Sequence, residues 1–164
     1  MKILLATDGS DNANAAVDFL LQFPFPEHCS ITLLSVVDAR LFVDVGAFEL
    51  SDDQYQVMHD TNEAVRKEAQ QSLASVAERV SRDGWTVETM VRSGYVAEEI
   101  LTTAEELQVD LVVVGSHGTS GYRRFMLGSV ATRLLDYAPC SVLIVKQAME
   151  GSPSAREEAR DEGW

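Results

Sequence analysis

Apolar side chains are concentrated in short segments that alternate along the chain with longer segments of mixed polarity. Most of the short segments are near-continuous runs of Val, Ile and Leu, a pattern typical of parallel strands that are covered on both faces. We therefore predict buried strands over residues 2–7, 30–37, 86–92, 110–115 and 141–146.

Helical spacing of apolar residues marks the segments between these strands. A first helix is predicted over residues 11–23 because it follows the turn signal Asp-Gly-Ser, with Ser10 or Asp11 as its cap. A second helix is predicted over residues 62–82, with Gly84 as its stop signal. The apolar positions that define the second, third and fourth helices are Val65, Ala69, Val76 and Val80, then Val96, Ile100, Ala104 and Leu107, then Val130, Leu134 and Tyr137. Strands that alternate with helices predict right-handed crossovers and a doubly wound α/β sheet with helices on both faces.

Two segments lack a clear period. Residues 38–60 mix aromatic and acidic side chains, and connections of this length are usually functional lids or mobile loops. Residues 148–164 are polar and acidic, which predicts a disordered extension after a single domain over residues 1–147. A chain of 164 residues with 46% hydrophobic residues suits one such domain with a substantial core.

The location of the protein is predicted from its apolar runs, its N-terminus and its cysteines. The runs are too short to cross a bilayer, which takes about 20 residues. The N-terminal sequence is typical of the start of a buried strand. It is not expected to be a signal peptide, because acidic Asp8 comes too early for the longer apolar region that a signal peptide needs. Cys29 and Cys140 form no Cys-x-x-Cys motif and are predicted to be small buried hydrophobes in a reducing compartment. We therefore expect a cytoplasmic protein without membrane insertion.

Acidic residues outnumber basic residues by 26 to 13, which gives a net charge of −13. Such a surface repels the phosphate backbones of DNA and RNA, so a nucleic-acid partner is not expected. The same charge constrains any nucleotide site, because anionic phosphates must be compensated by backbone N–H groups, a cation or a metal ion.

The densest chemical signal follows the fourth predicted strand, which leads into Gly115 and Gly118 before Gly128 and Ser129 open the fourth helix. Glycine lets a backbone approach a phosphate closely and adopt positive φ, and the N–H groups of a helix N-terminus favour negative charge. The segment is neither a Walker P-loop nor the Gly-x-Gly-x-x-Gly of dinucleotide-binding proteins. From the residues alone, an anion site and a set of ordinary turns both remain open.

The spacing Gly115-x2-Gly118-x9-Gly128-Ser129 resembles the nucleotide-binding pattern of the universal stress protein family. Further segments are similar to that family in the expected order: Ile-Leu-Leu-Ala-Thr-Asp-Gly-Ser at 3–10, Leu-Leu-Ser-Val-Val-Asp at 33–38, Gly-Tyr-Val-Ala-Glu-Glu-Ile at 94–100 and Ala-Pro-Cys-Ser-Val-Leu-Ile-Val at 138–145. The resemblance covers residues 1 to about 147 and implies a five-stranded parallel sheet of order 3-2-1-4-5. Its ligand would lie between the first and fourth strands, the switch point at which open α/β sheets bind ligands.

The resemblance also implies a nucleotide site made of Ala6, Asp8, Val36, Val114, Gly115, His117, Gly118, Gly128, Ser129 and Val130. Asp8 would accept hydrogen bonds from the ribose hydroxyls, and Ala6 and Val36 would face the adenine. Each has a simpler reading, because an aspartate suits a turn and apolar strand residues suit ordinary packing.

Phosphate contacts are implied for the glycine segment. Val114 and Gly115 would pass under the nucleotide, and the groups that hold its phosphates would be Gly118, Gly128, Ser129 and the amide of Val130. His117 would have a positional or water-contacting role, because the sequence shows no partner that would make it a general base. Arg123 and Arg124 would either reach the phosphates or pair with carboxylates.

These features predict a protein that binds ATP, or ADP or AMP, and acts as a regulatory module in a stress response. Two alternatives remain, a slow ATPase in which Mg²⁺ or Mn²⁺ bridges the phosphates, and an interaction protein that needs no nucleotide. The resemblance also implies a homodimer through Ser141–Val145, which would be an apolar sheet edge. The alternative for this edge is that the C-terminal tail covers it.

Overall fold

The computed structural model describes residues 1–39, 51–118 and 127–146, apart from the side chains of Asp52, Gln54 and Tyr55. Its strands are β1 (Lys2–Ala6), β2 (Cys29–Asp38), β3 (Trp85–Gly94), β4 (Leu111–Gly115) and β5 (Ser141–Val145). They form one sheet in the order β3-β2-β1-β4-β5, and every neighbouring pair is parallel. The predicted α/β sheet and the strand order implied by the resemblance are both confirmed.

Helices connect the strands as predicted, over α1 (Asp11–Gln22), α2 (Asp52–Val80), α3 (Val96–Leu107) and α4 (Ser129–Tyr137). Ser10 caps α1, because its side-chain oxygen accepts a hydrogen bond of 3.2 Å from the backbone N–H of Ala13. At the end of α2, Gly84 adopts a φ of +84°, which fits its predicted role as a stop signal.

Helix α2 begins at Asp52, earlier than the predicted start at residue 62. Residues 52–61 contain no Gly or Pro, and bonds one turn apart support their helix: Gln56 Nε2 donates to Asp60 Oδ1 at 2.9 Å, and Thr61 Oγ1 to the Val57 carbonyl at 2.7 Å. Their polar composition hid this helix from an analysis of apolar spacing. The prediction of an irregular connection over 38–60 is therefore wrong for this part, and residues 40–50 lie outside the described chain.

The two faces of the sheet are covered by different helices. On one face, Ile3 and Leu5 pack with α1 and α2 through Ala16, Val17, Leu20, Leu73, Val76 and Val80. On the other face, Leu4 packs with α3 and α4 through Ile100, Ala104 and Leu134. Successive residues of β1 thus enter opposite core layers, which explains why the strand is apolar from Ile3 to Ala6.

The order in which strands are added to the sheet reverses at β1: β2 and β3 lie on one side of it, and β4 and β5 lie on the other. Helix α1 leads from β1 to β2 on one side, whereas β4 lies on the other side of β1 and is followed by α4. The carboxyl ends of β1 and β4 therefore border a crevice at the switch point of the sheet, where such folds bind ligands. Among the described residues, no helix is long and apolar enough to cross a membrane.

Both cysteines are free thiols, with Cys29 buried and Cys140 half-buried. Burial is the main reason that the pKa of the Cys140 thiol lies above its ordinary value. This agrees with the prediction that the cysteines serve as small apolar residues.

Candidate functional site

Asp8 lies in the turn that follows β1, at the crevice. The turn is shaped by Gly9, whose φ is +76°, and by a hydrogen bond of 3.0 Å from the Ser10 amide to Asp8 Oδ1. The preceding Thr7 is buried, and its amide donates to the Leu34 carbonyl at 2.9 Å, which anchors the turn to β2. The Asp8 carboxylate is thus held at the surface of the crevice by the backbone on either side of it.

The three motif glycines lie where side chains do not fit. A Cβ on Gly115 would come within 2.7 Å of the Asn12 carbonyl carbon in the first turn of α1. A Cβ on Gly118 would lie 2.6 Å from Asp8 Oδ2, and one on Gly128 would lie 3.1 Å from the Ser116 carbonyl oxygen. A side chain at Gly115 would therefore require backbone of α1 to move, whereas one at Gly118 would displace the Asp8 side chain and one at Gly128 would need a small backbone shift.

The expectation that these motif glycines adopt positive φ is wrong. In the described part of the chain, only Gly9 and Gly84 are glycines with positive φ, and Gly128 has a φ of −63°. Gly115, Gly118 and Gly128 all keep φ outside the left-handed region. Space, rather than backbone conformation, accounts for glycine at the three sites.

The segment from Gly115 to Gly128 is called the glycine loop below. A backbone hydrogen bond joins its two described ends. The Gly128 amide donates to the Ser116 carbonyl at 2.9 Å, and the Ser116 amide donates to the Val145 carbonyl at 2.8 Å. The N-terminus of α4 consequently lies beside the carboxyl end of β4. The predicted phosphate contacts from Arg123 and Arg124 fall outside the described residues.

Helix α4 has an N-terminus that no side chain caps and no acidic residue in its first turn. Its first backbone bond of the helical type runs from the Thr132 amide to the Gly128 carbonyl at 2.9 Å. The amides of Ser129, Val130 and Ala131 therefore precede any intrahelical acceptor, and the helix dipole makes this end attractive to an anion. Helix α1 differs, because Ser10 caps it and Asp11 lies in its first turn.

An apolar wall lies beside these amides. Val114 is buried in the core layer under α3 and α4, and Ala6, Val36 and Val130 pack against that same layer while remaining half-buried. The structure thus brings the four apolar residues implied by the resemblance onto one side of the sheet, close to the carboxyl ends of β1, β2 and β4.

Sequence reasoning missed a polar contact behind the loop. Ser116 is 3% exposed, and its Oγ donates to Asn12 Oδ1 at 3.3 Å, across a separation of 104 residues. His117 Nδ1 lies 3.2 Å from the same Oγ. The only available signal was the small polar residue at the end of a buried strand, and no local pattern pointed to its partner in α1.

Two arginines, Arg92 on β3 and Arg133 on α4, pair with carboxylates of α3. Arg133 pairs with Glu98 at 3.0 Å, and Arg92 pairs with Glu99 and Glu106. The hydrogen bond to Glu106 is the main reason that the pKa of Arg92 lies above its ordinary value. Within the described ranges, no group of three His, Cys, Asp or Glu side chains is placed to hold a metal ion.

Comparisons with known proteins agree with this architecture. The sequence matches the model of the universal stress protein family over residues 1–146. The universal stress protein YxiE of Bacillus subtilis is 34% identical over 148 residues, covering 88% of this chain and 98% of YxiE. The universal stress protein MJ0531 of Methanocaldococcus jannaschii is 32% identical over 149 residues, covering 89% of this chain and 82% of that protein. The solved structure of MJ0577 from the same organism is 26% identical with a TM-score of 0.78, and the match covers 90% of this chain and 96% of that one.

Two further solved structures of similar fold contain nucleotides. A universal stress protein family protein from Arabidopsis thaliana with AMP bound is 17% identical, with a TM-score of 0.60 and coverage of 96% of this chain and 99% of that chain. A universal stress protein in complex with cAMP is 21% identical, with a TM-score of 0.56 and coverage of 90% and 98%. At these identities the likeness shows the fold alone. The family match along almost the whole chain, on a sheet of the expected order, establishes that this chain belongs to the universal stress protein family.

Proposed function

We propose that this chain binds an adenine nucleotide, ATP or its products ADP and AMP, in the crevice between β1 and β4, and that it acts as a regulatory module. The observation that carries the proposal is the convergence of three features at one point. The Asp8 carboxylate, the side-chain-free backbone at Gly118 and the uncapped N-terminus of α4 all border the same crevice.

The phosphates lie against backbone amides in this proposal. A chain with a net charge of −13 binds a polyphosphate only where local positive potential outweighs the overall field. The amides of Gly118, Ser129 and Val130 provide it, with the α4 dipole behind the last two. The Gly128 amide already donates to Ser116, so Gly128 contributes close approach rather than a donor.

The nucleoside lies over the apolar wall. Asp8 is exposed at the end of β1 and accepts hydrogen bonds from the ribose hydroxyls, while the half-buried faces of Ala6 and Val36 contact the adenine. Val114 and Gly115 pass beneath the nucleotide. The AMP and cAMP found in structures of similar fold support adenine as the base and leave the number of phosphates to experiment.

A calorimetric titration series tests this arrangement. We expect ATP to bind at least about tenfold more tightly than adenosine, because charge-assisted hydrogen bonds to phosphate oxygens each contribute about 1.5–3 kcal/mol. Equal affinities for ATP and adenosine would contradict the role of the amides. Mass spectrometry of the ligand released by heat from freshly purified protein then identifies which adenine nucleotide the chain retains.

Regulation by the nucleotide would operate as a population shift, in which the bound state of the glycine loop differs from the free state in its affinity for a partner.

A slow ATPase is the competing proposal, with Mg²⁺ or Mn²⁺ held mainly by phosphate oxygens. Steady-state phosphate release with either metal separates the two. Sustained turnover that is lost in His117→Gln would favour the enzyme and assign His117 as its base.

We also propose a homodimer through β5. Among the described residues, this strand pairs with β4 alone at the end of the sheet, and its central residues Val142, Leu143 and Ile144 are half-buried in the single chain. An apolar edge of this kind favours pairing with a second strand. We expect sedimentation equilibrium to give dimers both for the full chain and for a chain ending at Gln147. A monomeric full chain that dimerises after this truncation would show instead that the tail covers the edge.

A further inference from the structure

Ser116 directly follows β4 and forms hydrogen bonds with residues of β5, α1 and the start of α4. Its amide donates to Val145 in β5, and its carbonyl accepts from Gly128 at the start of α4. Its hydroxyl donates to Asn12 in the first turn of α1 and lies 3.2 Å from His117 Nδ1. This single residue, 3% exposed, therefore ties both ends of the glycine loop to the two neighbouring elements of the fold.

The hydroxyl of Ser116 has one proton to donate, and this limits the state of His117. With the Asn12 amide oriented so that Oδ1 faces Ser116, that proton goes to Oδ1, and the hydroxyl oxygen accepts a hydrogen bond from the imidazole. The ring must then carry a proton on Nδ1. The reversed network, in which Asn12 donates through its amide nitrogen and Ser116 donates to Nδ1, would leave the proton of the neutral ring on Nε2.

We propose that Ser116 is a positioning residue of the nucleotide site, which orients His117 as its Nδ1-protonated tautomer and holds the glycine loop against α1. The inference rests on the proposed function, since it assigns the residue that keeps the proposed phosphate-binding backbone in register. A Cβ on Gly128 would lie 3.4 Å from His117 Cα and 3.9 Å from its ring, so the orientation of the ring determines the space above the start of α4. The hydroxyl itself is buried and acts through its neighbours.

The test compares Ser116→Ala with the matched control Thr103→Val. Thr103 is fully buried, and its hydroxyl donates to the Glu99 carbonyl at 2.6 Å within α3, away from the crevice. Both variants lose one buried hydroxyl, so both are expected to lose similar stability in urea. We expect Ser116→Ala alone to weaken ATP binding, by about five- to tenfold, the equivalent of one lost hydrogen bond.

A double-mutant cycle with Asn12→Ala separates positioning from general destabilisation. Because the two side chains form one contact, we expect the losses in ATP affinity to be less than additive. An additive cycle, or a Ser116→Ala affinity equal to that of the wild type, would overturn the positioning role while leaving the proposed function intact. A wild-type chain that binds no adenine nucleotide would contradict the proposed function and the positioning role together.

The tautomer is measured without any nucleotide. Nitrogen-15 NMR of the neutral imidazoles, at about pH 9, distinguishes a protonated Nδ1 from a protonated Nε2. The His117 resonances are assigned by their loss in His117→Gln. We expect a protonated Nδ1 in the wild type and in Thr103→Val, and a change of tautomer or a mixture in Ser116→Ala. A protonated Nε2 in the wild type would overturn the inference.

Discussion

Replacement of Gly118 by valine is expected to raise the Kd for ATP at least about 100-fold, a loss of about 2.8 kcal/mol, while the chain remains folded. A Cβ at this position would lie 2.6 Å from Asp8 Oδ2, so the valine would displace the carboxylate and occupy the crevice. The fold tolerates the change because Gly118 is exposed and the displaced group is the end of a flexible side chain.

The matched control for this variant is Gly94→Val. A Cβ on Gly94 would also collide with a carboxylate side chain, that of Glu99, but at the end of the edge strand β3. Calorimetry on both variants should show ATP binding lost only in Gly118→Val, with circular dichroism and thermal melts similar for the two. Retained ATP affinity in Gly118→Val would count against phosphate binding at this backbone.

Gly115→Ala is expected to lower the free energy of unfolding by about 3 kcal/mol, the upper end of the usual cost of overpacking. Its Cβ would lie 2.7, 2.8 and 2.9 Å from the Asn12 carbonyl carbon, the Asn12 carbonyl oxygen and the Ala13 nitrogen. All three are backbone atoms in the first turn of α1, so relief requires the helix to move away from β4.

Urea denaturation of Gly115→Ala against Gly94→Ala measures this cost, because the added methyl meets the backbone of α1 in the first variant and the side chain of Glu99 in the second. The corresponding fall in melting temperature is about 6–12 °C for a domain of this size. An undiminished stability of Gly115→Ala would show that α1 is not packed against β4 as described. If the expected loss is found, the two motif glycines differ in role: Gly115 serves packing, whereas Gly118 serves the ligand.

The sheet was predictable because its signal is local. Most strands are apolar runs short enough to be distinguished from a helix, and the alternation with helices leaves few topologies. The strand order came from the resemblance and not from the runs themselves. The start of α2 was missed because residues 52–61 form a helix with little apolar surface, and helices of that kind carry no periodic signal.

The candidate site was predictable only in part, because its geometry depends on contacts between distant segments. Glycine spacing indicated where the backbone would be bare, but not that Gly118 faces Asp8 or that Gly115 faces α1. The contact of Asn12 with Ser116 joins residues far apart in sequence, and neither is one of the residues that define the motif. Tertiary packing decides such pairs, and a single sequence gives no record of it.

A crystal structure of the chain grown with ATP tests the central claim most directly, namely that backbone amides compensate the phosphates of a nucleotide on this acidic protein. We expect phosphate oxygens within about 3 Å of the amides of Gly118, Ser129 and Val130, with the ribose hydroxyls on Asp8. Phosphates held by arginine side chains away from these amides, or a crevice filled by the protein's own side chains, would contradict it.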